Sequence, residues 1–354
     1  MSNSFTTLPR TNRRWLLARR PSGSTIEVAD FGWDEAPVPD LEDGEILIRN
    51  DCLSCDPAQQ AWMTVDTYLP AMRTGEVIRS IAFGEVLASR DPAFRPGDRV
   101  QGMLGWQDYA TVRQGGPYPI MPVPPEVPGP TALSALGSTG MAAYFGLLEI
   151  GRPTAKETVL VSAAAGATGS VVWQIAKILG CRAVGIAGGP DKCRYLTDEL
   201  GFDAAIDYRN DNVLTRLRQT CPDGVDVYFD NVGGRTLDFA LSRLALHGRV
   251  VICGALSGYG QAGGPPGPRN YLRLLSQRGR MEGFVVLDFL HRANEAMTAI
   301  GGWMREGKLK DRVDVVRGLE NASGALARVF LGANNGKQIV EIEERGRGPT
   351  LTGP

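Results

Sequence analysis

Three stretches of this chain have residue types and spacings that can do chemistry. The first is a run of small residues, Ala163-Ala164-Ala165-Gly166-Ala167-Thr168-Gly169. It follows the apolar run Thr158-Val159-Leu160-Val161 and precedes a helical pattern through Val171, Val172, Ile175, Ala176, Ile178 and Leu179. Gly180 closes that pattern, and a second apolar run follows at Ala183-Val184-Gly185-Ile186. Strand, small-residue turn, helix and strand in that order give the pattern A-x-x-G-x-x-G its meaning. A helix N-terminus presents unpaired N–H groups and partial positive charge, which can hold a pyrophosphate. A side chain at position 166 would block that approach, and Gly169 lets helix and strand pack closely. The unit reads as a dinucleotide site. The competing reading is an α/β unit whose glycines serve packing alone.

The second stretch decides between dinucleotides. A site for NAD carries Asp or Glu at the end of the second strand, where it binds the ribose 2′-OH. Here that strand ends Ile186-Ala187-Gly188-Gly189-Pro190-Asp191-Lys192-Cys193-Arg194, with no acid at its tip. Small residues leave room, and the cations Lys192 and Arg194 suit a 2′-phosphate, so NADP(H) is preferred. Asp191 reads as a helix N-cap. The plainer alternative for Lys192 and Arg194 is a solvated helix face. The third stretch comprises two later strand ends, Asp230-Asn231-Val232-Gly233 and Cys253-Gly254-Ala255-Leu256, where ligands of open α/β sheets bind.

The surrounding elements must hold these groups. With 354 residues the chain has room for two domains. A net charge of −1 argues against a nucleic-acid binder, and 43% hydrophobic residues against disorder. No apolar run reaches the length of about 18 residues that a membrane span needs. The N-terminus has basic residues but no signal-peptide pattern. Cytoplasm is expected, with a mitochondrial presequence as the alternative. Six cysteines include one CxxC, Cys52-Leu-Ser-Cys55, without the second pair that a structural zinc site needs. The two histidines, His247 and His291, stand in no cluster. No metal site is expected, and the CxxC reads as strand and turn packing, with a redox pair as the alternative.

Residues 15 to 120 are strand-like. The runs are Trp15–Ala18, Ile26–Val28, Glu45–Arg49, Ile81–Leu87, Asp98–Gly102 and Asp108–Val112. Short strands between Gly and Pro turns predict a barrel-like first domain. Tyr118 to Pro130 holds six prolines and reads as a linker. A small-residue helical stretch from Thr131 to Ile150 follows. Helices and strands then alternate: helix Lys192–Leu200 and strand Ala204–Tyr208, helix Val213–Thr220 and strand Val225–Phe229, helix Thr236–Leu244 and strand Arg249–Ile252. Such alternation predicts a doubly wound parallel sheet. Gly258 to Arg269 is a Gly/Pro-rich loop, read either as a flap over the cofactor or as a plain surface loop. A strand Phe284–Leu287 and a helix Phe289–Arg305 come next. Strands Asp314–Val316 and Gln338–Ile342, with helix Ala322–Leu331 between them, return the chain to strand pattern. The tail Arg345–Pro354 reads as frayed.

The motifs AAAGATGS, YFDNVGG, CGALSGY and NNGKQIVEI, in this order, resemble the medium-chain dehydrogenase/reductase superfamily. More narrowly, they are similar to its zinc-independent leukotriene B4 dehydrogenase/prostaglandin reductase group, which includes alkenal double-bond reductases and curcumin reductase. The resemblance runs from Arg14 to Ile342. It implies an α/β fold: a Rossmann doubly wound parallel sheet (132-315) plus a β-rich GroES-like catalytic domain (1-131 and 316-354). It implies NADPH-dependent reduction of the C=C bond of α,β-unsaturated ketones and aldehydes without zinc, in a homodimer. By motif, Gly166, Ala167, Thr168 and Gly169 would line the pyrophosphate, and Lys192 and Tyr208 would flank the 2′-phosphate. Asn231 would lie near the adenine or ribose. Cys253, Ala255, Leu256 and Tyr259, then Phe284, Val285 and Val286, would wall the nicotinamide end. Asn334 would reach the cofactor from the returning segment.

Conjugate reduction leaves charge on the carbonyl oxygen, and a hydrogen-bond donor can stabilise it. Tyr259 is the first candidate donor and Tyr68 the second, with Met72 and Trp106 adding apolar surface. Tyr259 can also be read as a loop tyrosine packing on the cofactor. Two departures from the group fall near the substrate end: Gln59 and Gln60 after Asp56-Pro57-Ala58, and Ala142 where relatives often have Thr. The rival functions are quinone reduction on the same scaffold and NADPH binding without catalysis.

Overall fold

The computed structural model describes residues 11–23, 26–260 and 267–342. Half of the proposed 258–269 flap, residues 261–266, and all of the 345–354 tail lie outside them. The chain opens with an antiparallel pair, β1 (Thr11–Leu17) and β2 (Phe31–Pro37). The Ile26–Val28 run is not a strand. It leads into a 3-10 turn at Val28–Asp30, and the strand begins after it, in a segment whose acids and proline mask the pattern.

A seven-stranded sheet follows, in the order β14-β15-β3-β4-β5-β7, with β6 on β3. Its strands are β3 (Glu45–Ser54), β4 (Ile81–Ser89), β5 (Arg99–Met103), β6 (Tyr109–Arg113) and β7 (Met121–Pro122), and the later β14 (Val313–Arg317) and β15 (Lys337–Glu341). Helix α1 (Ala58–Thr64) crosses after β3. β3 is twice as long as its apolar run suggested. It bends at two register shifts against β4, and so pairs with β4, β6 and β15 along its length. The proline-rich linker contains β7 and the start of α2 (Gly129–Leu133), where a proline occupies the first helical turn, the one place a helix accepts it without loss.

Helix α3 (Ser138–Phe145) runs into a wider turn at Gly146–Gly151 and delivers the chain to the second sheet. That sheet has the order β10-β9-β8-β11-β12-β13, all parallel. It is built from β8 (Thr158–Ser162), α4 (Ala167–Ile178), β9 (Arg182–Ala187), α5 (Pro190–Arg194), β10 (Ala204–Asp207), α6 (Val213–Thr220), β11 (Val225–Asp230), α7 (Gly234–Ser242), β12 (Leu244–Ile252), α8 (Leu272–Gln277) and β13 (Arg280–Gly283). Alternate residues of one strand enter different cores. Val159 and Val161 join one cluster and Leu160 the other, and Val227 and Phe229 part from Tyr228 in the same way. Burial on both faces is why these strands read as unbroken apolar runs. Helix α9 (Ala293–Arg305) precedes β14, and helix α10 (Ala322–Leu331) lies between β14 and β15.

The strand order reverses between β8 and β11, the place where doubly wound sheets open a crevice at their carboxyl ends. The first sheet closes that crevice. Gly336, just before β15, bridges to Gly166 in parallel, and its N–H donates to the Ala165 carbonyl at 3.2 Å. A third apolar cluster, with Phe83, Ile81 and Tyr118 against Ala132, Leu133 and Leu287, seals the seam.

Candidate active site

The crevice is a cavity of about 900 Å³ running from the glycine turn to the wall of the first sheet. At its floor Gly166 caps α4 in an extended conformation, which leaves the first N–H groups of the helix facing the opening. Ala163, which holds the place of the first glycine of the pattern, has φ +48. That left-handed conformation is where glycine is the usual residue, so an alanine carries local strain there. A Cβ on Gly169 would lie 2.4 Å from the Ala163 carbonyl oxygen and 2.9 Å from the Ala164 Cα. Gly169 is therefore required for the close contact of α4 with the turn. A Cβ on Gly166 would meet only the Ala163 oxygen, at 3.1 Å, so the space above it is open to a ligand.

At one end of the cavity three side chains meet. Lys192 donates to the Gly332 carbonyl at 3.0 Å, and Arg209 donates to the Leu331 carbonyl at 3.1 Å. The Arg209 guanidinium also lies 5.9 Å from the centre of the Tyr208 ring. Burial and then the Arg209 charge push the Lys192 ammonium below its ordinary value. Two cations held together with no acid between them form a receptor for a doubly charged anion. Asp207 organises this end: its Oδ1 accepts the N–H of Gly189 at 2.8 Å and of Arg209 at 3.0 Å. Burial raises that carboxyl, but the Asn210 amide and the backbone donors outweigh it and bring it below the ordinary carboxylate value. The acid thus faces the loop backbone. Arg194 pairs with Asp191 on the exposed face and does not line the cavity. Asp191 is not the N-cap, because Gly189 holds that position with φ +94 and Pro190 opens the helix.

On the other side of the crevice, Asn231 Nδ2 donates to the Ser162 carbonyl at 2.7 Å, tying the tip of β11 to that of β8. Beneath it Asp230 accepts from the Tyr228 hydroxyl at 2.7 Å and from the N–H groups of Val232 and Gly233 at 3.0 and 2.8 Å. The Tyr259 hydroxyl oxygen accepts the Ala255 N–H at 3.3 Å. Its own proton is therefore free to be donated. Burial pushes the Tyr259 phenol up, and Tyr68, although half of its surface is exposed, has its phenol pushed up to about 12 by partial desolvation. Tyr68 stands edge-on to Trp62, with ring centres 6.3 Å apart.

Gly166, Ala167, Thr168, Gly169, Lys192, Tyr208, Asn231, Cys253, Leu256, Tyr259, Val286, Asn334 and Tyr68 all line the one cavity. Three expected residues do not. Ala255 sits in the turn that carries Tyr259, beside Gly233, and contributes its N–H. Phe284 follows β13 and turns away, its ring packed on Phe229, Phe289 and the bare Cα of Gly146. Val285 lies in the extended link after it, because the strand is Arg280–Gly283 and not Phe284–Leu287. Met72 and Trp106 are also displaced, both buried in the core of the first domain. Gln59 and Gln60 are buried braces: Gln59 bonds the Asp56 N–H and the Arg79 carbonyl, and Gln60 bonds the Gly23 carbonyl and abuts Gly260. Ala142 lines the cavity.

The sequence reading missed Arg209, Arg235, Lys337 and Asp56, which also line the cavity. The signal for Arg209 was a second cation directly after a strand tip. Lys337 had none, since a lysine opening an apolar strand reads as exposed. All six cysteines are free, and burial holds the Cys253 thiol up at about 12. Among the described residues no group of three or more His, Cys, Asp or Glu is arranged to hold a metal ion.

Residues 13–120 match the model of the N-terminal domain of oxidoreductase, and residues 167–300 match that of zinc-binding dehydrogenase. The chain is 37% identical to NADPH-dependent curcumin reductase of Escherichia coli, over 94% of this chain and 97% of that protein. It is 38% identical to 2-alkenal reductase (NADP(+)-dependent) of Nicotiana tabacum, over 84% and 87%. The crystal structure of CurA in complex with NADPH from Vibrio vulnificus superposes with a TM-score of 0.88 at 35% identity, covering 94% of this chain and 99% of that one.

Proposed function

The chain belongs to the medium-chain dehydrogenase/reductase family, and from that premise we propose that it reduces the C=C bond of α,β-unsaturated ketones and aldehydes with NADPH. One observation carries the reading: a helix N-terminus, a pair of cations and a tyrosine with a free proton share one cavity. When bound, NADPH supplies the hydride that adds to the β-carbon.

The chain's own residues bind and polarise. The N–H groups at the start of α4 meet the pyrophosphate, and Lys192 and Arg209, beside Tyr208, meet the 2′-phosphate. Asn231, Leu256, Cys253, Val286 and Asn334 wall the remainder. Tyr259 donates its proton as a hydrogen bond to the carbonyl oxygen, where negative charge develops, and Tyr68 is the second candidate for that task. Raised phenol values keep both tyrosines protonated, hence donors, at neutral pH.

The working form we propose is a homodimer. β13 is an open edge of the parallel sheet, all four of its residues are exposed, Met281 among them, and Tyr271, Leu272 and Leu275 lie exposed in the helical segment before it. An unpaired edge with apolar neighbours is a template for a second copy. No helix among the described residues is long and apolar enough to cross a membrane, and free cysteines suit a reducing compartment, so we place the protein in the cytoplasm.

The test is loss of NADPH absorbance with a medium-chain 2-alkenal, 3-nonen-2-one, a quinone and a saturated aldehyde, with NADH in parallel and products identified. Saturated carbonyl products from enal and enone, with NADPH preferred and a chelator without effect, are expected. Turnover of the quinone alone would move the assignment to quinone reduction.

A further inference from the structure

Two hydroxyls on the cavity wall, that of Tyr118 in the loop before β7 and that of Ser138 at the start of α3, have no part in the chemistry proposed for Tyr259 and Tyr68. Ile81, Met103, Tyr118 and Leu287 line the cavity and belong to one apolar cluster. Tyr118 is only 4% exposed, and its hydroxyl has no hydrogen-bond partner among the described residues. Buried hydroxyls normally have one, and leaving one unmatched is unfavourable. Ser138, the first residue of α3, lines the same cavity and is only half-buried. Its side chain interacts with the Tyr118 phenol and lowers it, against the larger effect of burial. Burial is the main reason that phenol is raised, and Asp56 and Tyr68 raise it further. Both of those residues also line the cavity, so the Tyr118 ring belongs to the substrate side and not to the glycine turn.

Taking double-bond reduction as the premise, we propose that Tyr118 and Ser138 form a subsite for a second polar group of the substrate, a hydroxyl or a carbonyl carried on an apolar arm. Ile81, Met103 and Leu287 receive the arm. The phenol and the serine hydroxyl each donate or accept, so the pair matches either group. The preferred substrates are then enones with a polar group remote from the double bond, ahead of plain hydrocarbon enals. A site with a polar group to satisfy favours the ligand that satisfies it, because the unsubstituted analogue leaves the group unpaired.

The experiment compares 3-nonen-2-one with hydroxyl-terminated enones of graded arm length, by kcat/KM with NADPH. The parent enzyme should prefer one arm length over the plain enone by about tenfold or more. Tyr118→Phe and Ser138→Ala, each checked for an unchanged melting temperature, should each shrink that ratio. A parent ratio near one at every arm length overturns the subsite. So does a ratio that survives both substitutions. A parent enzyme that reduces neither kind of enone overturns the double-bond reductase reading itself, which separates the two failures.

Discussion

Lys337, which opens β15, and Asp56, just after β3, form a buried ion pair within the first sheet, on the wall of the cavity. The Lys337 side chain is 1% exposed and that of Asp56 17%, and the ammonium also donates to the Cys55 carbonyl at 3.3 Å. Asp56 takes a further hydrogen bond from the Ser54 hydroxyl. Lys337 adjoins Gly336, which bridges to Gly166, and Cys55 to Ala58 line the cavity beside it. The pair therefore ties the segment after β3 to β15, the strand whose preceding residue, Gly336, meets the glycine turn.

Removing one partner strands the other charge in a dry site, which typically destabilises by about 3–5 kcal/mol. Lys337→Met should fall in that range by urea unfolding. The double variant Lys337→Met with Asp56→Leu should recover most of the loss, since no charge is then left unmatched. A single variant as stable as the parent would show that the pair does not hold β15 to the end of β3.

Cofactor choice should rest on Lys192 and Arg209 together. Each loses charge-assisted hydrogen bonds on truncation, worth about 1.5–3 kcal/mol, or about 10- to 100-fold in affinity. Lys192→Ala and Arg209→Ala should weaken NADPH by that factor and NADH far less, by fluorescence titration of each nucleotide. Equal weakening of both nucleotides would take the 2′-phosphate role from the residue concerned.

Tyr259→Phe should keep NADPH affinity and lose turnover by about 10²- to 10³-fold, the scale for one donor to a developing oxyanion. The pH profile carries a second check. A phenol raised above its ordinary value near 10 keeps its proton to higher pH, so the donor form is not lost between pH 6 and 9. An alkaline fall in kcat/KM within that window would point to another donor.

Gly169→Ala would set a methyl against the Ala163 carbonyl and the Ala164 backbone. Backbone cannot rotate away as a side chain can, so α4 must shift from the turn. The expected loss is about 1–3 kcal/mol of stability, with weaker binding of NADPH and NADH alike because the pyrophosphate cradle itself moves. Unchanged affinity for both would separate that helix from cofactor binding.

The parallel sheet was legible because its physics is local. A strand buried on both faces must be apolar throughout, and a helix that starts on a phosphate needs small residues in the turn before it. Helices Val213–Thr220 and Ala322–Leu331 fell where their periodicity ends. β2 was hidden because an acid falls on each of its faces, Asp34 and Glu35, and a proline ends it, and β3 ran on past its apolar core because three partner strands hold it. Phe284 shows the limit of a strand-end rule. The residue is apolar and in the right region, but its direction was decided by the gap above Gly146, which lies far away in the chain.

The amino-acid sequence by itself determined the family, the dinucleotide unit and the preference for a phosphorylated cofactor, since each depends on residues that are neighbours along the chain. Tertiary structure decided how the site is closed. Lys337 meets Asp56 because the C-terminal strand returns to pair with β3, Arg209 joins Lys192 because β9 and β10 are neighbours in the parallel sheet, and Tyr118 approaches Ser138 across the cavity wall. Those pairings depend on burial and on which surfaces meet. A charge or hydroxyl in a sequence carries no mark of either until the chain has packed around it.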